Sequence, residues 1–422
     1  MYSNKSKSFS TFRNVALNLI VLFFFSCGSP EKPDETLNTS TGKLISYELI
    51  KTLSIEDIEI IRTTHLEQFL TGATMPFSAF EGKLEKPKYA VKLYKVTYHS
   101  IIPEQANKPV ITTGLIAIPE MDSKELPLIS YQHGTIFDRS WAPSAYDNAY
   151  EVHFMVSQFA SQGYVLIAAD YFGFEEASEL ANSYFLEKST GQACLDMYAA
   201  SLEILDKEEI TKDKFFVSGW SQGAYNTMIF LRLLERENIS VDAAFTAANP
   251  VDLLLFITRA LFNPRDIDAV FSVAGLCTMI FSFEEAHNGD FSSKYIKPEY
   301  YNTARNFFDF KISFEQFMDT VPTKYDQVFH QDFFNDARLV TGPFWSLVAQ
   351  SEAYRWLSTT PIQIFGGGMD EAVPTSEAFI AVEYMHLLGK NDIQAISSGA
   401  NADHRCTYIY ALINAKPWID SF

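Results

Sequence analysis

The reading begins at Lys214–Arg236, KFFVSGWSQGAYNTMIFLRLLER. Phe215-Phe216-Val217 is a short apolar run of strand length and β-rich composition. Gly219-Trp220-Ser221-Gln222-Gly223 follows, and then the apolar residues switch to helical spacing at Ala224, Met228, Leu231 and Leu234. A G-x-S-x-G pentapeptide alone is common by chance; between a strand and a helix it predicts a strained turn with the serine at its apex. Small residues two positions to either side let the strand and helix approach each other. The hydroxyl then stands at a sheet end, beside a helix N-terminus that favours negative charge. The Gln222 backbone N–H would point where an oxyanion forms.

A serine hydroxyl is a poor nucleophile without a base, and the base needs an orienting acid. Two later segments supply candidates. Pro361–Pro374, PIQIFGGGMDEAVP, reads as a strand, a glycine-rich turn and then Asp370. Asp403-His404 follows the last expected strand, in what reads as a loop. Glu371 and Asp403 are rival acids; Glu371 is expected to face away, and sequence neighbours such as Asp403 and His404 rarely meet productively. His386 in mid-helix and His99 in mid-strand read as structural. Upstream, Leu128–Asp138 (LISYQHGTIFD) is a strand and turn whose Gly134 or Thr135 N–H would complete an oxyanion hole with Gln222. His133 is expected to brace that loop.

Short apolar strands alternate with helices through the rest of the chain. Strands are expected at Leu128–Gln132, Val165–Ala169, Phe215–Ser218, Ala243–Ala247, Ile362–Phe365 and Ile393–Ile396. Helices are expected at Val152–Gln162, Gln192–Leu205, Ser376–Leu388 and Thr407–Asn414. This rhythm indicates a mostly parallel sheet covered on both faces. Upstream, Ser54-x-x-Asp57 opens an expected helix to Leu70, and Tyr89–Ile101 with Val110–Ile118 reads as an antiparallel pair. The alternation breaks between Pro250 and about Thr360. There Leu253–Phe262, Phe271–Phe283 and Phe307–Phe317 are helix-like and aromatic, which predicts a helical cap inserted at about 252–350, over the strands' C-terminal ends.

The motifs Tyr131-Gln-His-Gly, Asp170-Tyr-Phe-Gly-Phe, Gly219-Trp-Ser-Gln-Gly and Asn249-Pro-Val-Asp252, with the helix around Asp196, resemble the α/β-hydrolase superfamily. Within it they are most similar to secreted lipases and esterases with a helical cap. The resemblance covers roughly 126–251 and 361–409. It implies an α/β fold with a doubly covered, mostly parallel sheet, and the chain order Ser221, Asp370, His404 is that superfamily's order. It implies a serine esterase or lipase that needs no cofactor and no metal. The alternatives are an exported dipeptidyl-type peptidase and a lipoprotein that only binds a ligand.

Net charge is −19, with no Lys/Arg-rich run, which argues against nucleic-acid binding. Lys5, Lys7 and Arg13 precede an apolar run, Val15–Phe25, that is too short to span a bilayer but fits an export signal. Ser26-Cys27-Gly28 resembles the lipobox of bacterial lipoproteins. That resemblance implies a signal at 1–26, lipidation of Cys27, attachment to a cell-envelope membrane and a folded domain at 45–422. The polar stretch 27–44 would be the tether. An ordinary cleaved signal and an uncleaved anchor are the alternatives. Cys194, Cys277 and Cys406 read as small buried thiols that could form at most one bridge.

Overall fold

A computed structural model describes residues 41–422; the expected signal, Cys27 and most of the tether lie outside the described residues. Nine strands form one sheet in the order β1-β2-β3-β5-β4-β6-β7-β8-β9. They are β1 Leu44–Leu53, β2 Val91–Ile102, β3 Lys108–Pro119, β4 Glu125–Gln132, β5 Val165–Ala169, β6 Thr211–Trp220, β7 Ala243–Ala247, β8 Ile362–Gly366 and β9 Ile393–Ser397. The first three pair antiparallel, β3 also meets β5 antiparallel, and every pairing from β5 through β4 to β9 is parallel. The central strands are short and buried throughout, as a sheet covered on both faces requires.

Helices α1 Tyr150–Gln158, α2 Glu187–Lys207, α3 Gln222–Arg236 and α7 His404–Ile419 supply much of that cover. Two large apolar clusters result, one for each face. One gathers Val217, Tyr225, Met228 and Ile364; the other gathers Phe154, Phe216, Phe245 and Ile409. Between β7 and β8 the chain leaves the sheet for a helical insertion that begins with α4 Leu253–Phe262 and α5 Ser272–His287 and ends with α6 Gly342–Gln350. The insertion has a core of its own, in which Phe333 meets Tyr295, Phe329 and Trp345 at ring separations of 5.4, 4.5 and 5.0 Å.

Three expectations change. Leu44–Leu53, where the sequence predicts no strand, forms β1 at the sheet edge. The single helix expected over Phe307–Phe317 is two, Pro298–Phe308 and Phe314–Thr320. Phe310 turns through φ 56° between them, and Ser313 starts the second with a capping box closed by Gln316. The last helix begins at His404 itself, capped by the Asp403 side chain, so His404 is on a first helical turn and not in a loop. The Ser54–Asp57 capping box and the β2–β3 pair form as read. Cys194, Cys277 and Cys406 are buried and unbridged.

Candidate active site

The site lies where β4, β6, β7 and β8 end. Ser221 follows β6 directly and holds φ 59°, ψ −124°, a backbone conformation costly for any residue with a side chain. The surroundings leave it no other. Its N–H donates to the Ala247 carbonyl at 2.9 Å, at the end of the neighbouring strand. A carbon added to Gly219 would lie 2.2 Å from the Gly223 oxygen. One added to Gly223 would lie 1.9 Å from the Gln132 oxygen. Both glycines are therefore required by close backbone approach, and Ser221 is left half-buried at the N-terminus of α3.

Asp370 follows β8 by four residues and is fully buried. Its Oδ1 accepts the amides of Ala372 and Val373 at 3.0 and 2.7 Å, which fixes the carboxylate. The same carboxylate faces His404 Nδ1, at 2.9 Å from Oδ1 and 3.0 Å from Oδ2. Burial alone would depress the His404 pKa. The charge and hydrogen bond of Asp370, with smaller contributions from Glu371 and Asp403, outweigh that and hold the imidazole above its ordinary value. Glu371 does not face away: its Oε2 accepts the His404 backbone amide at 3.0 Å, which seats the helix and not the ring. Asp403 accepts the amides of Cys406 and Thr74. Trp220 ties His404 to the serine turn, with its ring 4.7 Å from the imidazole and its Nε1–H donating to the His404 carbonyl at 3.1 Å.

The loop after β4 departs from expectation at one residue. The Gly134 N–H is already taken: it donates to Glu151 Oε2 at 2.8 Å, so Gly134 is not available as an oxyanion donor. Among the described residues, the amides of Thr135 and Gln222 donate to no protein acceptor. His133 does brace this loop. Its ring nitrogens lie 2.8 Å from the Gly134 oxygen and 3.3 Å from the Asp170 oxygen, and its ring stacks on Tyr171 at 4.1 Å. Burial pushes its pKa down to about 4, so it stays neutral at physiological pH. His386 bonds the Ile393 carbonyl, at the helix–β9 junction.

Two cavities lie near these residues. The first lies between the insertion and the loops that carry Tyr184 and Ala372. It is mostly apolar, has a volume of ≈60 Å³, and is walled by Tyr184, Phe256, Leu276, Met279 and Ala372. The second, of ≈360 Å³, opens between the β4 loop and α1. Tyr184 and Thr135 hydroxyls meet at 3.0 Å where the two sides adjoin. The insertion also grips the loop that carries Asp370. Arg265 Nη2 donates to the Asp370 carbonyl at 2.9 Å, and the Ala269 amide donates to the Glu371 carbonyl at 3.0 Å. Asp268 bonds Arg265 at 2.8 Å and also Arg259, which reaches Glu377 at 2.9 Å.

No protein-family model matches the chain, and no curated protein does. Solved structures do match. A ligand-bound form of the rice cell wall degrading esterase LipA from Xanthomonas oryzae superposes with a TM-score of 0.78 at 20% identity, over 90% of this chain and 99% of that one. Candida antarctica lipase A superposes with a TM-score of 0.60 at 19% identity, over 86% and 78%. The chain has the α/β-hydrolase fold. In an α/β-hydrolase sheet the residues after the central parallel strands share one edge, and Ser221, Asp370 and the β4 loop occupy that edge here. Sequence reasoning missed Glu151, Tyr184 and Arg265. Glu151 sits in the first turn of α1, where an acid reads as an ordinary partner of the helix dipole. Arg265 lies in the insertion, for which no motif was legible.

Proposed function

We propose that the protein is a serine hydrolase of carboxylic esters, with Ser221 as nucleophile, His404 as base and Asp370 as orienting acid. Ser221 Oγ attacks the acyl carbon while His404 Nε2 takes its proton. Asp370, bonded to Nδ1, fixes the tautomer and offsets the charge that forms on the ring. The amides of Gln222 and Thr135 receive the oxyanion, each worth roughly 10²–10³ in rate. Collapse expels the alcohol, which recovers the proton from His404, and water then clears the acyl-enzyme by the same steps. The observation that carries this reading is the His404–Asp370 contact, tied through Trp220 to the turn that holds Ser221 at φ 59°; among the described residues no hydrogen bond joins the Ser221 hydroxyl to the imidazole.

The helical insertion serves as the cap, and its apolar cavity suits an acyl chain. A chain-length series of nitrophenyl esters is expected to show turnover that Ser221→Ala removes. Turnover unchanged by that substitution would remove Ser221 as the nucleophile, and no turnover from acetyl to long-chain esters with Ser221 unreactive would favour the non-catalytic binding reading. We further infer export and lipid attachment at Cys27. Metabolic labelling with an alkynyl fatty acid should mark the wild type and not Cys27→Ala; equal labelling of both would refute the anchor.

A further inference from the structure

The cavity between the β4 loop and α1 has a chemistry distinct from that of the apolar one. Phe69, Ile136, Trp141, Tyr150 and Trp220 give it apolar and aromatic walls, and Trp141 and Tyr150 remain 41% and 39% exposed. Trp220, next to Ser221 in the turn, and Thr135 of the β4 loop both line it. Its lining contains one carboxylate, Glu151, and neither Lys nor Arg. The two oxygens of that carboxylate are used unequally. Oε2 takes both protein donors, the Gly134 amide at 2.8 Å and the Tyr131 hydroxyl at 2.7 Å. Oε1 accepts from no described residue, and Glu151 has no ion-pair partner among them. Burial pushes its pKa up to about 7, against the opposing pull of the Gly134 and Tyr131 hydrogen bonds and the charge of His404. Pockets that bind small molecules characteristically combine apolar walls with a few such unspent polar groups.

We propose that this cavity is the leaving-group subsite and that Glu151 Oε1 accepts a hydrogen bond from a donor on the alcohol, a second hydroxyl or a protonated amine. The proposal rests on the ester-hydrolase reading. With the acyl part directed to the apolar chamber, the alcohol leaves on the Thr135–Trp220 side, where Glu151 supplies the one carboxyl group of the lining. A simple alkyl alcohol would leave that acceptor without a partner, whereas a polyol or amino alcohol supplies one. Charge-assisted hydrogen bonds of this kind discriminate by about tenfold or more.

The test compares butanoate esters of one acyl chain: propyl, glyceryl, and 2-(dimethylamino)ethyl. In the wild type, kcat/KM for the two donor-bearing esters should exceed that for the propyl ester by about tenfold or more. Glu151→Gln keeps an oxygen for Gly134 and Tyr131 but presents an amide N–H₂ in place of Oε1. The ratio should then fall to near one; because it is taken within each protein, a general loss of activity cancels. Preference for the amino ester alone, lost in Glu151→Gln, supports the subsite and narrows its occupant to cations. No preference in the wild type, or one that survives in Glu151→Gln, overturns it. Should that variant not fold, interception of the butanoyl-enzyme decides the matter: glycerol should compete with water better than 1-propanol at equal concentration, and parity or the reverse overturns the subsite. If nitrophenyl butanoate is hydrolysed without donor preference, only this proposal falls. If no ester is hydrolysed, it falls together with the reading it rests on.

Discussion

The serine turn and the helical insertion are built to different tolerances. At Gly223 one extra carbon would lie 1.9 Å from a main-chain oxygen, and no side-chain movement can relieve that. In the insertion, Phe333 is held by rings at 4.5–5.4 Å, a contact that loses energy when trimmed but leaves the main chain where it is. The turn fixes atoms by backbone exclusion, while the insertion fixes a shape by packing. The first suits a group that must be placed within tenths of an ångström. The second suits a wall whose outline can vary while the chemistry beneath it stays the same. The insertion also reaches the loop that carries Asp370, where Arg265 and the Ala269 amide donate to the carbonyls of Asp370 and Glu371.

The sharpest break in this comparison should come from Asp370→Asn. It keeps the volume but removes the charge that orients His404, and kcat should fall by roughly 10⁴ with the fold retained by circular dichroism. A loss under about tenfold would remove Asp370 from the site. Phe333→Ala should do the reverse. Stability should drop by about 3–5 kcal/mol in denaturant titration, while kcat for a short acyl ester at low temperature stays within severalfold. A kcat collapse in the still-folded variant would show that the insertion's core is part of the catalytic geometry. Arg265→Ala lies between the two. We expect about a tenfold loss of kcat with little change in stability, because the clip on the Asp370 loop is lost.

The pH dependence is the mildest effect. The Asp370 charge holds His404 above its ordinary value, and the proposed base works only when neutral. Activity should therefore rise with pH, and the limb of kcat/KM should lie above the unperturbed value near 6.5. A limb below it would mean that desolvation wins over Asp370.

How much of this was legible depended on the distance over which each feature is determined. The serine turn is local: strand, small residues and helix are contiguous, and all are visible between Phe215 and Leu234. Ser221, Asp370 and His404 each come after an expected strand, and the structure brings Asp370 against His404. Gly134 was misread because the group that claims its amide, Glu151, comes from the next helix, and nothing in the tetrapeptide around Gly134 reports it. β1 was missed because an edge strand with most of its residues exposed shows no buried alternation; Leu44 and Leu53 are its only buried residues. The break near Phe310 did carry a signal, the Ser313-x-x-Gln316 capping box, which the aromatic periodicity hid. Where His404 sits relative to its helix was decided by Asp403, a residue weighed only as a rival acid.

The proposed chemistry requires that one hydroxyl, at Ser221, be made nucleophilic by His404. The most direct measurement is active-site labelling with a fluorophosphonate, followed by peptide mapping of the adduct. The account predicts a single adduct on Ser221, no labelling of Ser221→Ala, and labelling slowed by orders of magnitude in His404→Ala. An adduct on another residue, or undiminished labelling of Ser221→Ala, would contradict it.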